Sequence, residues 1–265
     1  MPETFLCHDG ECWITPEHVA EARRRRSPGL VVGPRVLYTP LDFDRERGHW
    51  LARALGAEET PLGDVAVQSR AVDLRLPEGQ LTGLIGPIGA PGTVSTLEAA
   101  LALGARQIFF FGVCGSLHPD LRIGDLVLVE RAIREEGTSY HYLPADAPAV
   151  PSPRLLALAC EVLAEEPHRV GTIWTTDAPY RETRTKVARL AAEGVLGVEM
   201  ETSAVYAMAQ FRGVEALSVQ IVSDQLVGER WTGISRETFQ HRCEHAVRLL
   251  ARLALLFPLS AVGGG

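Results

Sequence analysis

In this 265-residue chain the first sign of chemistry is a carboxylate, Asp224, which follows an apolar run (Leu217 to Ile221) and then Val222-Ser223. A carboxylic acid at the exit of a buried strand is partly withdrawn from water, the setting in which it can act as a general acid. An N-cap or loop aspartate fits the same pattern equally well. Glu201, two residues after Glu199, reads either as a carboxylate at a helix N-terminus or as a bidentate acceptor for two sugar hydroxyls, with Met200 covering the sugar's apolar face. Trp174, beside Thr175-Thr176-Asp177, is a candidate to stack on a planar ring, with a core tryptophan as the alternative. Gly86, Gly89 and Gly92 allow close backbone approach to a ligand, but their spacing is not the dinucleotide fingerprint.

The elements that must position these groups alternate from about residue 65 onward. Strands are predicted over 64–76, 81–88, 108–111, 124–129, 170–175, 195–198 and 216–222. Helices are predicted over 93–103, 153–165, 181–192, 202–211 and 235–257. Such alternation predicts a mostly parallel sheet covered by helices, with ligands at the carboxyl ends of the strands. Gly86–Gly92, Gly112–Ser116, 198–201 and Ser223-Asp224 then converge on one edge. Earlier, helices over 16–26 and 43–55 flank a possible strand over 30–38. A rival pattern, His241-Arg242-Cys243-Glu244-His245, matches H-x-x-E-H zinc sites, but no acid or histidine follows it to serve as a third ligand. Surface histidines are the simpler reading. Cys7-His8 with Cys12 makes a weak metal case, so neither metal nor cofactor is expected.

Composition narrows the classes. With 46% hydrophobic residues the chain is globular, and no apolar run reaches the roughly 18 residues of a membrane span. The N-terminus lacks the basic and apolar regions of a secretory signal. A net charge of −7 argues against a general nucleic-acid binder, and Arg23–Arg26 reads as a solvated helix end. Five scattered cysteines suggest reduced thiols and a cytoplasmic setting.

The strand exits also carry a family pattern. Gly112-Val113-Cys114-Gly115-Ser116-Leu117 with Ile123-Gly124-Asp125-Leu126-Val127, Val198-Glu199-Met200-Glu201 ending at Tyr206, Val222-Ser223-Asp224, and Ile88-Gly89-Ala90-Pro91 resemble, in order, four motifs of the family-1 nucleoside phosphorylases and nucleosidases. The resemblance covers about residues 81–245 and leaves 1–60 as a variable region of one 1–265 domain. It implies a three-layer α/β/α fold whose mixed sheet partly closes into a barrel. It also implies a homotrimer or homohexamer that cleaves the N-glycosidic bond of a nucleoside.

Carried over, Glu201 holds the ribose hydroxyls and Met200 packs on the sugar. Asp224 protonates or hydrogen-bonds a purine N7, steadied by Arg236. Trp174, Cys114, Gly115 and Val198 contact the base. Gly89, Thr93, Phe110 and Val113 surround the acceptor. The departures concern that acceptor. The family's G-D-P-x-R loop is absent, Phe110 stands at its arginine position, and Val113 at its hydroxyl position. Burying a dianion against Phe and Val costs several kcal/mol, roughly.

Replacement donors are Thr93, Ser95, Arg35 or Arg70; a hydrolase would instead need an acid such as Asp42, Asp44 or Asp73. The expectation is therefore hydrolysis of a purine nucleoside, with phosphorolysis through a rebuilt phosphate site as the alternative. A non-catalytic nucleoside-binding protein is the alternative from another class. His8, His18 and Tyr140-His141-Tyr142 are further guesses for the ribose pocket.

Overall fold

The computed structural model describes residues 10–43, 49–228, 231–233 and 236–259, and of Arg236 the backbone alone. The strands are β1 (Arg35–Thr39), β2 (Glu58–Gly63), β3 (Arg70–Leu76), β4 (Gly79–Ile85), β5 (Gln107–Ser116), β6 (Leu126–Glu135), β7 (His168–Thr176), β8 (Gly197–Glu199), β9 (Glu215–Gln225) and β10 (Thr232–Gly233). The helices are α1 (Pro16–Arg26), α2 (Trp50–Leu55), α3 (Ala90–Leu103), α4 (Pro153–Val162), α5 (Arg184–Ala192), α6 (Thr202–Arg212) and α7 (Arg236–Leu256). One sheet takes in all ten strands in the order β10-β9-β6-β7-β8-β5-β1-β4-β3-β2, and a further β5–β9 pairing closes β5, β9, β6, β7 and β8 into a ring.

The sheet is mixed rather than mostly parallel. β1 runs parallel to β4 and β5, as do β5 with β9, β6 with β7, and β7 with β8. The β2–β3–β4 hairpins and the pairs β5–β8, β6–β9 and β9–β10 are antiparallel. Alternation along the sequence carries no information about such pairings. Nor does it reveal β2, whose Pro61 is tolerated only because the strand lies on the sheet edge, with a register shift between Pro61 and Gly63. The strand expected from residue 64 begins at Arg70, because Ser69 ties a turn to the Ala66 backbone through bonds of 2.6 and 3.1 Å. Of the helix expected over 43–55, the described part is helical only from Trp50; 44–48 lie outside the described residues.

Period-2 alternation along β5 splits its apolar run between two cores. Ile108 and Phe110 join the layer of α1, α3 and α6, while Phe109 and Phe111 join that of α2, α4 and α7. A smaller cluster under α5 holds Trp174, Leu117, Val187, Leu190, Val195 and Val198. No described helix is long and apolar enough to cross a membrane.

Tyr206 links helix to sheet. Its fully buried hydroxyl donates to the Val129 carbonyl at 2.7 Å and accepts the Ser218 N–H at 3.0 Å. Tyr206→Phe leaves both backbone groups unpaired, so it should lower unfolding free energy by about 1–3 kcal/mol. Denaturant titration should show this as a lower midpoint at unchanged slope.

Candidate active site

Strand ends build a cleft of about 550 Å³. Pro40 and Leu41 follow β1, Ile88 follows β4, and Val113 and Gly115 come from β5. Pro179, Tyr180 and Glu182 follow β7, 198–201 lie at the end of β8, and Ser223, Asp224 and Leu226 at the end of β9. Trp231, just before β10, completes the wall. Four of these residues are acids: Glu182, Glu199, Glu201 and Asp224. No lysine or arginine among the described residues lines the cleft.

Glu199 anchors the turn between β8 and α6. Its carboxylate accepts the Glu201 N–H at 2.8 Å, the Thr202 N–H at 2.7 Å, the Thr202 hydroxyl at 2.9 Å, and the Thr175 hydroxyl. It thus caps α6, where the helix end favours a negative charge. Glu201 is also buried, and its Oε1 accepts the Gly89 N–H at 2.6 Å. Gly89 has φ +96°, a conformation suited to glycine, and stands immediately before α3. Burial and the neighbouring Glu199 push the Glu201 carboxyl up to about 8. Burial raises Glu199 as well, but with four donors it is the member of the pair that we assign the charge.

Asp224 sits at a register shift: Cys114 pairs with Val222 and Gly115 with Asp224, so Ser223 bulges between them. Ser223 Oγ donates to Asp224 Oδ1 at 2.5 Å, and Trp231 Nε1 donates to Oδ2 at 2.7 Å. A Cβ on Gly115 would stand 2.2 Å from Leu226 and 3.2 Å from Asp224 Oδ2, so glycine leaves the room that the acid occupies.

The structure thus brings together Glu201, Met200, Asp224, Gly115, Val198 and Val113, all on the cleft wall, with Gly89 bonded to Glu201. Others it places elsewhere. Trp174 is fully buried in the α5 cluster under Lys186, so its ring is a core ring and not a stacking surface. Phe110 is fully buried against Tyr38, facing away from the cleft because its parity on β5 is opposite to that of Val113. Thr93 spends its hydroxyl on Tyr38 (2.9 Å) and the Pro87 carbonyl (3.2 Å), bracing the turn rather than reaching an acceptor. The Cys114 thiol is likewise in the core. Arg236 opens α7, but its side chain lies outside the described residues.

None of the suggested replacements among the described residues lines the cleft. Arg35 donates to the Phe257 carbonyl at 3.0 Å, from the N-terminal end of β1. Arg70 lies 4.0 Å from Asp42, Asp73 accepts from Gln80 at 2.6 Å, and Ser95 is an exposed residue of α3. Tyr140 donates to the Arg134 carbonyl, Tyr142 packs on Phe211, and His18 belongs to the capping box of α1. His241 and His245 are exposed and face Glu244 (3.7 Å) and Glu166 (3.0 Å). Among the described residues no group of three or more His, Cys, Asp or Glu could hold a metal. Cys7, His8 and Asp44 lie outside the described residues.

Sequence reasoning missed Glu182, Tyr180 and Trp231. The helix expected from 181 begins at Arg184, with Thr183 as its N-cap accepting the Lys186 N–H at 3.4 Å. Recognising Thr183 as a cap would have left Tyr180 and Glu182 in the loop at the end of β7. Trp231 carries no comparable signal.

Comparison with known proteins agrees with this arrangement. Residues 54–257 match the model of the phosphorylase superfamily. The chain is 32% identical over 170 residues to a guanosine phosphorylase of Halorubrum lacusprofundi, covering 61% of this chain and 70% of that one. It is 34% identical over 156 residues to a DeoD-type purine nucleoside phosphorylase of Bacillus cereus, covering 57% of this chain and 66% of that one, just short of two thirds. A uridine phosphorylase from Vibrio fischeri, solved with 6-hydroxy-1-naphthoic acid, superposes with a TM-score of 0.71 at 23% identity, covering 84% and 90% of the two chains. This last likeness concerns the fold.

The protonation of Glu201 has a measurable consequence. A carboxyl raised on folding stabilises the fold fully below its unfolded value of 4.5 and loses that contribution as pH rises through about 8. Glu201→Gln keeps an acceptor for Gly89 but cannot ionise. Thermal melts should place its midpoint near or below wild type at about pH 5 and shift it upward relative to wild type by about pH 9. A difference that does not change with pH would refute the assignment.

Proposed function

The chain belongs to the phosphorylase superfamily, and on that premise we propose that it cleaves the N-glycosidic bond of a purine nucleoside, with water as the acceptor. The observation that carries the choice of water is the composition of the cleft. Where an attacking phosphate would need cationic or N–H donors, the described wall offers Pro40, Leu41, Ile88 and Val113 and no lysine or arginine, while the charge assigned to Glu199 repels a dianion. Water needs no counter-charge.

In this reading Glu201 accepts hydrogen bonds from two ribose hydroxyls, and Met200 covers the sugar. Asp224 engages the purine at N7 so that the base departs neutral as C1′ develops oxocarbenium character. Stabilising charge where it appears only in the transition state raises kcat rather than affinity. Tyr180, fully exposed at the mouth, supplies the aromatic face that Trp174 does not. The same reading places the enzyme in the cytoplasm as a homotrimer or homohexamer.

Phosphorolysis is the second reading, supported by the printed names of the relatives, guanosine phosphorylase and purine nucleoside phosphorylase. Base release measured with and without inorganic phosphate separates the two. Undiminished release in phosphate-free buffer is expected, and strict dependence on phosphate would reverse the choice. Asp224→Asn should lower kcat by about 10²–10⁴-fold, the usual contribution of a positioned acid or base. Equal turnover by this variant would remove Asp224 from the chemistry.

A further inference from the structure

The cleft does not end at Asp224. Glu182, Leu226 and Trp231 line it and also line a second cavity of about 470 Å³. One side of that cavity is a single face of α5, on which Arg184, Val187, Ala188 and Ala191 stand at i, i+3, i+4 and i+7. Val227 and Gly228, which follow β9, form another side. The two alanines leave space that longer side chains would fill. Apart from Glu182 and Arg184 the lining is apolar, and neither Met200 nor Glu201 takes part in it.

Two side chains fix the junction between the spaces. Leu226 lies over Gly115, where a Cβ would stand 2.2 Å from its Cδ1, and its N–H donates to the Ser116 carbonyl at 3.0 Å. Trp231 is held by the 2.7 Å bond from its Nε1 to Asp224 and by packing over Gly233, where a Cβ would stand 3.3 Å from the ring. The tryptophan is still 72% exposed, which leaves apolar surface at the junction for a ligand to cover.

We propose that the second cavity is a subsite for an apolar substituent, alkyl or aryl, on the 6-position of the purine base. This rests on the reading of the cleft as an N-glycosidase site with Asp224 at N7 and Glu201 at the ribose. N7 and the exocyclic 6-group share one edge of a purine. Position 8 lies on the sugar side of N7 and position 6 on the far side. The second cavity joins the cleft at Trp231, which is bonded to Asp224, and not at Glu201. A 6-substituent therefore leaves the cleft past Leu226 and Trp231 and lies against Val187, Ala188 and Ala191. These contacts are remote from C1′ and stay the same as the glycosidic bond breaks, so they lower KM and leave kcat alone.

The test measures base release from inosine, adenosine and N6-benzyladenosine by wild type, Ala188→Phe and Ala191→Phe. Wild type should show a KM for N6-benzyladenosine about tenfold below that for adenosine at similar kcat, since burying a phenyl-sized group is worth at least that factor. Ala188 is exposed and outside the core cluster under α5, so a phenylalanine there projects into the cavity without disturbing the core. Either variant should lower the ratio of kcat/KM for N6-benzyladenosine over adenosine by about tenfold. A purely structural defect would lower both values together. A wild-type KM for N6-benzyladenosine no lower than for adenosine overturns the assignment, whether a second copy of the chain or another group fills the cavity. An unchanged ratio in both variants also overturns it, as does a wild type that cleaves inosine but neither amino nucleoside. Inertness toward all three nucleosides overturns the N-glycosidase reading itself, and the assignment with it.

Discussion

The buried carboxylate of Glu199 is the interaction on which the site depends. One side chain gathers a hydroxyl from β7, the first N–H groups of α6 and the Thr202 hydroxyl. Ionised groups are costly to bury unless every acceptor position is used, and here the donors and the positive end of a helix use them. That fixes the turn between β8 and α6 and with it the direction of Glu201. It also leaves Glu201 buried beside a fixed negative charge, which favours its protonated form. Ser203 extends the arrangement, donating to buried Glu136, which in turn accepts the Ser139 N–H.

The closed ring of β5, β9, β6, β7 and β8 turns this local order into a cavity. Because β5 and β9 run parallel, their carboxyl ends deliver Val113, Gly115 and Asp224 to one rim. The bulge at Ser223 rotates Asp224 toward that rim, and the missing side chain of Gly115 makes space for it. β7 ends on the same rim and hands over Tyr180 and Glu182 before Thr183 starts α5. The result is a wall that combines four acids with apolar residues such as Leu41, Ile88 and Val113.

Much of this was legible beforehand, and the failures share a cause. The elements around Thr202, Glu215 and Pro153 begin within a residue or so of their predicted starts, because strong periodicity and caps mark them. The clustering of Asp224, Glu201 and the Gly112–Gly115 end of β5 followed from strand exits alone. Phe110 and Val113 were assigned together to the acceptor, but three residues apart on a strand they point to opposite faces. Trp174 was weighed as a stacking ring or a core ring, and only the packing of α5 over it decided for the core. Thr93 looked available because the Tyr38 hydroxyl that occupies it comes from 55 residues away.

By itself, the sequence determined an α/β chain, the motif positions and the lack of the family's phosphate arginine, since these depend on residue type and local spacing. Only the tertiary structure decided which acids share a cleft, which of them are already satisfied, and that Glu182 and Trp231 belong beside Asp224. Those facts depend on strand pairing and on side-chain facing between residues far apart in the chain. Local propensity is blind to both, because contacts between distant segments exist only once the sheet has closed.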